Sequence, residues 1–172
     1  GYRQDMIGEF AALRTSFTFA VIPFKPHSKE AAAKGLASGH QVMLHLPMEP
    51  LSGIDPSELS STVKLDMDVA QVRELVDRAA ASLPGIIGIN NHQGSRATAD
   101  RKTMENVMKV LREKQLFFVD SRTHAKSVAA DAARQQKIKT TENDLFLDGI
   151  ADVAYVKKQL RTAGEMALRH GS

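Results

Sequence analysis

The sequence predicts an α/β protein built on a parallel sheet. Two observations carry that expectation. Short apolar runs bounded by turn residues alternate with stretches of helical period, at roughly thirty residues per unit. The runs are nearly all apolar rather than alternating, as strands buried on both faces are. An irregular (β/α) barrel and an open doubly wound sheet both satisfy this pattern. No G-x-G-x-x-G comes after the first run, so a dinucleotide site has little support.

Each element has a local signature. Phe17 to Pro23, "FTFAVIP", is rich in β-branched and aromatic residues and reads as the first strand. Lys29 to Ser38 reads as a helix stopped by Gly39. Gln41 to Pro47, "QVMLHLP", is the second strand. Val69, Val72, Leu75, Val76, Ala79 and Leu83 fall on one face of a helix, with Asp68 placed to cap it. Gly85 to Asn90 is the third strand. Met104, Val107, Met108 and Leu111 stripe the next helix, and Leu116 to Val119, "LFFV", is the fourth strand. Ser127 to Gln136 is alanine-rich and helical. Asp144 to Asp148, "DLFLD", is expected as a short fifth strand. Val153, Val156, Leu160, Ala163 and Ala167 stripe a final helix.

One connection is long. Glu49 to Leu65 joins the second strand to its helix, where compact loops use about two to six residues. It leaves the C-terminal end of its strand, where α/β proteins place their sites. Leu51 to Thr62 is therefore expected beside the site and more mobile than the strands.

The chain has 172 residues, 42% of them hydrophobic and 25% charged, which suits one folded domain and not a disordered segment. A net charge of +3 from 23 basic and 20 acidic residues is small and scattered, so a nucleic-acid partner is not expected. With no cysteine, disulfides, thiolate metal sites and cysteine catalysis are excluded. No apolar stretch approaches the ~18 residues of a membrane span.

The strand ends carry the chemistry. The second run closes with His45, Pro47 and Glu49, and the third with Asn90-Asn91-His92-Gln93-Gly94-Ser95. The fourth closes with Asp120-Ser121-Arg122-Thr123, and the fifth with Asp148. In a parallel sheet these ends lie at one edge, so residues far apart in sequence converge. Imidazole and carboxylate together suit zinc and similar divalent ions. Asn, Ser and Thr can orient ligands or bind a polar substrate.

Plainer roles compete with these. A lone histidine at a strand end is more often a turn or capping residue than a ligand. Asn90-Asn91 can make an Asx turn with Gly94 at positive φ, and Asp120 can serve as an N-cap. His27, His40, His124 and His170 read as solvated or capping residues, and the methionines as core.

The motifs "FTFAVIP", "GHQVMLHLPMEP", "GINNHQGSRAT", "LFFVDSRT" and "LFLD", in that order, resemble the divergent polysaccharide deacetylases. These are distant relatives of the carbohydrate esterases that remove N-acetyl groups from polysaccharides. The resemblance covers nearly the whole chain and implies a single domain, 1–172. Its fold would be an irregular (β/α) barrel of the glycoside hydrolase/deacetylase type, with a metal at the C-terminal strand ends. It implies His45 and His92 as ligands of a divalent metal, zinc first; Asp120 and Glu49, at the ends of the fourth and second strands, are the candidate catalytic carboxylates and the candidates for a third ligand. Asn91, Ser95, Ser121, Thr123 and Asp148 match positions that line the pocket and bind substrate. The implied partner is a polysaccharide or oligosaccharide, and the implied location is the periplasm or cell envelope.

Three departures qualify the match. The family has a strand ending in paired aspartates ahead of the "GY" that opens this chain. It also continues to a Gly-His-Pro motif beyond His170-Gly171-Ser172, and it has methionine where Gln93 stands. The expectation is a domain lacking a strand at each end, with an incomplete metal site. Two functions are compatible with this: a metal-dependent hydrolase of N-acetyl groups, or a non-catalytic carbohydrate-binding or envelope scaffolding module that keeps the fold.

Overall fold

The computed structural model describes residues 4–15 and 17–170. The chain divides into two compact units, Gly1–Glu142 and Asn143–Ser172. The first holds the strands β1 (Thr18–Val21), β2 (Gln41–Met48), β3 (Ile86–Gln93), β4 (Phe117–Asp120) and β5 (Thr140–Glu142). Its helices are α1 (Gln4–Ala11), α2 (Ser28–Ala37), α3 (Val69–Ser82), α4 (Arg101–Glu113) and α5 (Ala129–Gln135). The second holds α6 (Val153–His170).

The strands form one sheet in the order β1-β2-β3-β4-β5, and every pairing is parallel. Sheet neighbours are chain neighbours throughout. A doubly wound sheet needs a point where the strand order reverses, and this sheet has none. With the usual right-handed crossover, a singly wound sheet collects its helices on one face, which is the arrangement of a (β/α) barrel. Among the described residues the sheet stays open, with β1 and β5 at its edges.

Strand alternation assigns the faces. Val42, Leu44, Leu46 and Met48 of β2 are fully buried and share one cluster with Val72, Leu75 and Val76 of α3. Met104, Val107, Met108 and Leu111 of α4 complete it with Ala129, Ala132 and Ala133 of α5. The sequence stripes of α3 and α4 are thus the buried faces. Asp68 caps α3 as expected: its side chain accepts from the Gln71 backbone N–H at 2.9 Å while the Gln71 side chain accepts from Asp68 N–H. The open face of the sheet carries Met43 and His45 of β2.

An irregularity in β3 decides what stands beside His45. Val42 pairs with Ile86, but Leu44 pairs with Ile89, so β3 contains one residue more than β2 across this step. Without it, Ile86, Gly88, Asn90 and His92 would share the helix-covered face. The extra residue reverses the alternation: Ile89 and Asn91 turn toward the helices and are fully buried, while Asn90 and His92 turn to the open face. Gly88 sits in the irregular step because a Cβ there would come within 2.4 Å of the Phe117 ring.

Three sequence expectations are corrected. The fifth strand is Thr140–Glu142, pairing with Phe118–Asp120, and Asp144–Asp148 is not a strand. The apolar "LFL" was the stronger pattern, yet Phe146 is 48% exposed. Asp148 therefore ends no strand. His40 is buried, its ring 4.2 Å from that of Phe17 and its Nε2 3.1 Å from the Ala11 carbonyl. The stripe of α6 is half-buried at Val156, Ala163 and Ala167, but Val153 and Leu160 are exposed. The helix α1 was not expected from the sequence.

Candidate metal centre

His45 and His92 meet on the open face. His45 Nε2 lies 3.1 Å from His92 Nδ1, and the rings cross edge to face at 66°. The pair is not formed by direct register, since His45 is opposite Asn90 and His92 opposite Pro47. It forms because both side chains leave the same face one step apart.

The His45 ring is oriented from behind. Its Nδ1–H donates to Asn90 Oδ1 at 2.9 Å. The Asn90 amide is itself set by its Nδ2, which donates to Ser121 Oγ at 3.2 Å, and Ser121 Oγ donates to the Asn91 carbonyl at 2.8 Å. This chain fixes the tautomer of His45 and leaves a lone pair on Nε2, aimed at His92. Burial pushes the His45 imidazole down to about 4; the Asn90 hydrogen bond opposes this, and nearby His92 adds to it. His92 is also held below its ordinary value, chiefly by burial, with Glu58 opposing and Lys25 adding. Both rings are thus neutral near pH 7, the state in which imidazole ligates a metal.

The other residues expected in the site have these positions. Asp120 is buried on the helix-covered face, one residue out of phase with Ser121. Its Oδ1 accepts from Arg122 N–H at 2.8 Å and its Oδ2 from Ser127 Oγ at 2.6 Å. Glu49 Oε2 accepts from Leu65 N–H at 3.0 Å, and its Oε1 pairs with Arg96 at 2.8 Å. Both carboxylates thus brace loops. Asn91 is fully buried: its Oδ1 accepts from Ser121 N–H at 2.8 Å and its Nδ2 donates to Gln93 O at 2.8 Å. Gln93 and Gly94 come next at φ 54 and 84, the turn geometry expected of this segment. Ser95 Oγ accepts from Leu51 N–H, and Thr123 Oγ1 donates to Gln93 O. Asp148 belongs to the second unit and is exposed.

The long connection does reach the cluster. Pro56–Glu58 forms one 3-10 turn capped by Asp55. Glu58 is 2% exposed, with Oε1 2.9 Å from Lys25 Nζ and Oε2 3.4 Å from His92 Nε2. Sequence reasoning missed Glu58 and Lys25. The available signal was "DPSE", a cap residue, proline and glutamate in the order that starts a helical turn.

The donors suit part of a metal site. Two zinc-bound nitrogens at about 2.0–2.1 Å in tetrahedral geometry stand about 3.3 Å apart, close to the 3.1 Å seen here. Among the described residues no group of three or more His, Asp or Glu could hold an ion. The two histidines bring two nitrogens together, and no third donor group joins them among the described residues.

A model of the family described as divergent polysaccharide deacetylase matches residues 1–172. The chain belongs to that family. It is 35% identical over 172 residues to an uncharacterized protein of Haemophilus influenzae and 35% identical to the uncharacterized protein YibQ of Escherichia coli. All of this chain is matched in both cases, and it spans 61% and 53% of those proteins. The fold is also similar to the crystal structure of an uncharacterized protein from Agrobacterium tumefaciens, with a TM-score of 0.83 and 21% identity. That likeness covers 98% of this chain and 69% of the other. No helix among the described residues is long and apolar enough to cross a membrane.

Proposed function

We propose that this deacetylase-family protein is a metal-dependent hydrolase of N-acetyl groups on a polysaccharide or related carbohydrate, with His45 and His92 as ligands of a divalent ion, zinc first. The observation that carries the reading is the Nε2 lone pair of His45, fixed by Asn90, directed at His92 Nδ1 across 3.1 Å. A strand-end turn needs a polar side chain; it does not need two imidazoles held neutral and face to edge. The chemistry such an ion supplies when bound is polarisation of a carbonyl and activation of water.

The chain's own residues prepare the site. Asn90 and Ser121 set the His45 ring, so its ligand atom is presented without a search over rotamers. Asn91 ties the end of β3 to the residues after β4 and keeps that rim rigid. Ser95 and Ser121 are half-exposed and Thr123 exposed, so they are the expected residues open to contact with sugar. Asp120 and Glu49 enter this reading as braces, not as a base. An N-acetylated polymer as substrate suits the periplasm or cell envelope, the location proposed.

The test is zinc calorimetry joined to acetate release from N-acetylglucosamine oligomers. The parent should bind zinc and His92→Ala should not. Equal binding by both would refute the ligand pair. The second reading, a non-catalytic carbohydrate-binding or envelope scaffolding module, is favoured by the engaged carboxylates of Asp120 and Glu49. Oligosaccharide binding without acetate release, in the presence of zinc, would select it.

A further inference from the structure

Glu58 comes from a part of the chain that belongs to no strand, yet it is the most buried carboxylate touching the histidine pair. Its side chain is 3% exposed, and it lies between Lys25 Nζ at 2.9 Å and His92 Nε2 at 3.4 Å. Lys25, whose side chain is 8% exposed, lies just after β1 and also donates to Ser57 Oγ at 2.7 Å. Arg78 donates to the Ser60 carbonyl, and the Ser61 and Thr62 hydroxyls both donate back to the Glu58 carbonyl. The turn is thereby held in place from three sides, and the carboxylate is delivered to one position.

Asn90 fixes His45, but nothing on β3 or β4 fixes His92. A neutral His92 has two tautomers. With its proton on Nδ1 it donates to His45 Nε2, which closes the pair as an ordinary hydrogen bond. The Nε2 lone pair would then face the Glu58 carboxylate. With its proton on Nε2 it points an N–H at Glu58 and leaves a lone pair on Nδ1, 3.1 Å from that of His45 Nε2, where a cation could join them. The contact with Glu58 is long at 3.4 Å, so the carboxylate acts on the ring mainly through its charge. A full negative charge 3.4 Å from Nε2 repels a lone pair there and attracts an N–H, and in a buried site that charge is weakly screened.

We propose that Glu58 is a positioning residue: carried in by the β2–α3 connection and held by Lys25, it selects the Nε2–H tautomer of His92 and so turns the histidine pair from a closed hydrogen bond into two neighbouring ligand atoms. This rests on the reading of His45 and His92 as metal ligands for its purpose, though not for its geometry. It also gives the long connection a task. The connection supplies the partner behind His92, as Asn90 does behind His45.

The test reads the tautomer directly. Long-range proton–nitrogen spectra of the histidine-labelled, metal-free protein above the imidazole titration range should show His92 protonated at Nε2. A His92 protonated at Nδ1 in the parent overturns the proposal outright. Glu58→Gln keeps the shape and removes the charge, so it should shift the proton toward Nδ1. Glu58→Leu should move the proton to Nδ1 and weaken zinc binding by about 10–100-fold, the usual effect of losing a partner behind a ligand. The double variant Lys25→Met/Glu58→Leu removes both members of the ion pair together and should give the same tautomer change. An Nε2–H tautomer that persists in the double variant overturns the proposal, even where zinc binding still depends on His92. A tautomer that tracks Glu58 in a protein that binds no zinc supports the positioning role and refutes the metal reading instead.

Discussion

Replacing Asn91 by aspartate exchanges one NH2 group for an oxygen, and the structure says what that exchange does. Asn91 is fully buried, and its amide is used on both sides. Oδ1 accepts from Ser121 N–H at 2.8 Å, and Nδ2 donates to Gln93 O at 2.8 Å and to Thr123 Oγ1 at 3.3 Å. In Asn91→Asp the first bond survives. The second becomes a carboxylate oxygen against a carbonyl oxygen that already accepts from Thr123 Oγ1 at 2.7 Å. A buried charge left with one donor costs about 3–5 kcal/mol. The protonated carboxyl can instead donate to Gln93 O, and it loses only the Thr123 contact, about 1 kcal/mol. The new carboxyl therefore has its folded pKa raised above the unfolded value of about 3.9. Between those two values the unfolded chain releases the proton and the folded one keeps it, so stability falls as pH rises, by about 1.4 kcal/mol per pH unit. Urea unfolding of the parent, Asn91→Ala and Asn91→Asp at pH 4.5 and 7.5 tests this. The gap between parent and Asn91→Asp should widen by roughly 2–4 kcal/mol from the lower to the higher pH, bounded by the two costs above. The gap for Asn91→Ala, a loss of hydrogen bonds with no new charge, should be about 2–4 kcal/mol at both. A gap for Asn91→Asp that is constant or narrows as pH rises would mean that Nδ2 does not face Gln93 O, and the clamp between β3 and the residues after β4 would be wrongly drawn.

Other outcomes rest on single contacts. Gly88→Ala should cost about 1–3 kcal/mol by overpacking, because its Cβ would stand 2.4 Å from the Phe117 ring. Adding Phe117→Leu should recover part of that loss in thermal unfolding, whereas simple additivity would point to backbone strain instead. Lys25→Met removes the 2.9 Å ion-pair partner of buried Glu58 and should cost about 1.5–3 kcal/mol, the usual range for a lost hydrogen bond to a charged group, with Lys25→Met/Glu58→Leu less destabilised than the single variant. A double variant no more stable than Lys25→Met would refute the pairing. Asp100 caps α4, accepting from the Thr103 hydroxyl at 2.6 Å and its N–H at 2.8 Å, and these hold its carboxyl below the usual range. A lowered folded pKa gives stability that is present above about pH 4 and lost as pH falls through the folded value. Asp100→Ala should therefore be less stable than the parent by about 1 kcal/mol at neutral pH, with the two unfolding curves converging in acid.

Most of the framework could be read from the sequence for physical reasons. The stripes of α3 and α4 repeat at helical period because each buries one face, and both helices are where the pattern puts them. The cap at Asp68 is a local interaction between residues three apart, so sequence alone holds all its parts. The fifth strand was misplaced because strand identity is settled by pairing, not by local composition. Thr140–Glu142 is polar and short, but it lies against Phe118–Asp120. The apolar "LFL" that comes after it pairs with no strand among the described residues. His40 was read as solvated because nothing local marks it as buried; Phe17 and Ala11, which enclose it, come from α1 and the residues before β1.

The site shows a sharper boundary between what a sequence contains and what it displays. Reading along the chain, the polar residues that close each strand form one undivided cluster. The period of a strand divides them in two. His45, Asn90, His92 and Ser121 share the open face and are joined there by contacts of 2.9 to 3.2 Å. Asn91 and Asp120 share the buried face and hold the turns behind it. Adjacent letters such as Asn90-Asn91 and Asp120-Ser121 thus have different tasks. Which letter receives which task depends on the single extra residue of β3 between Ile86 and Ile89. Had β3 run in register, His92 would have faced the helices and His45 would have stood opposite a buried partner. The one visible sign of that step was a glycine inside an otherwise apolar run. Gly88 is the point at which the alternation reverses and the histidine pair becomes possible.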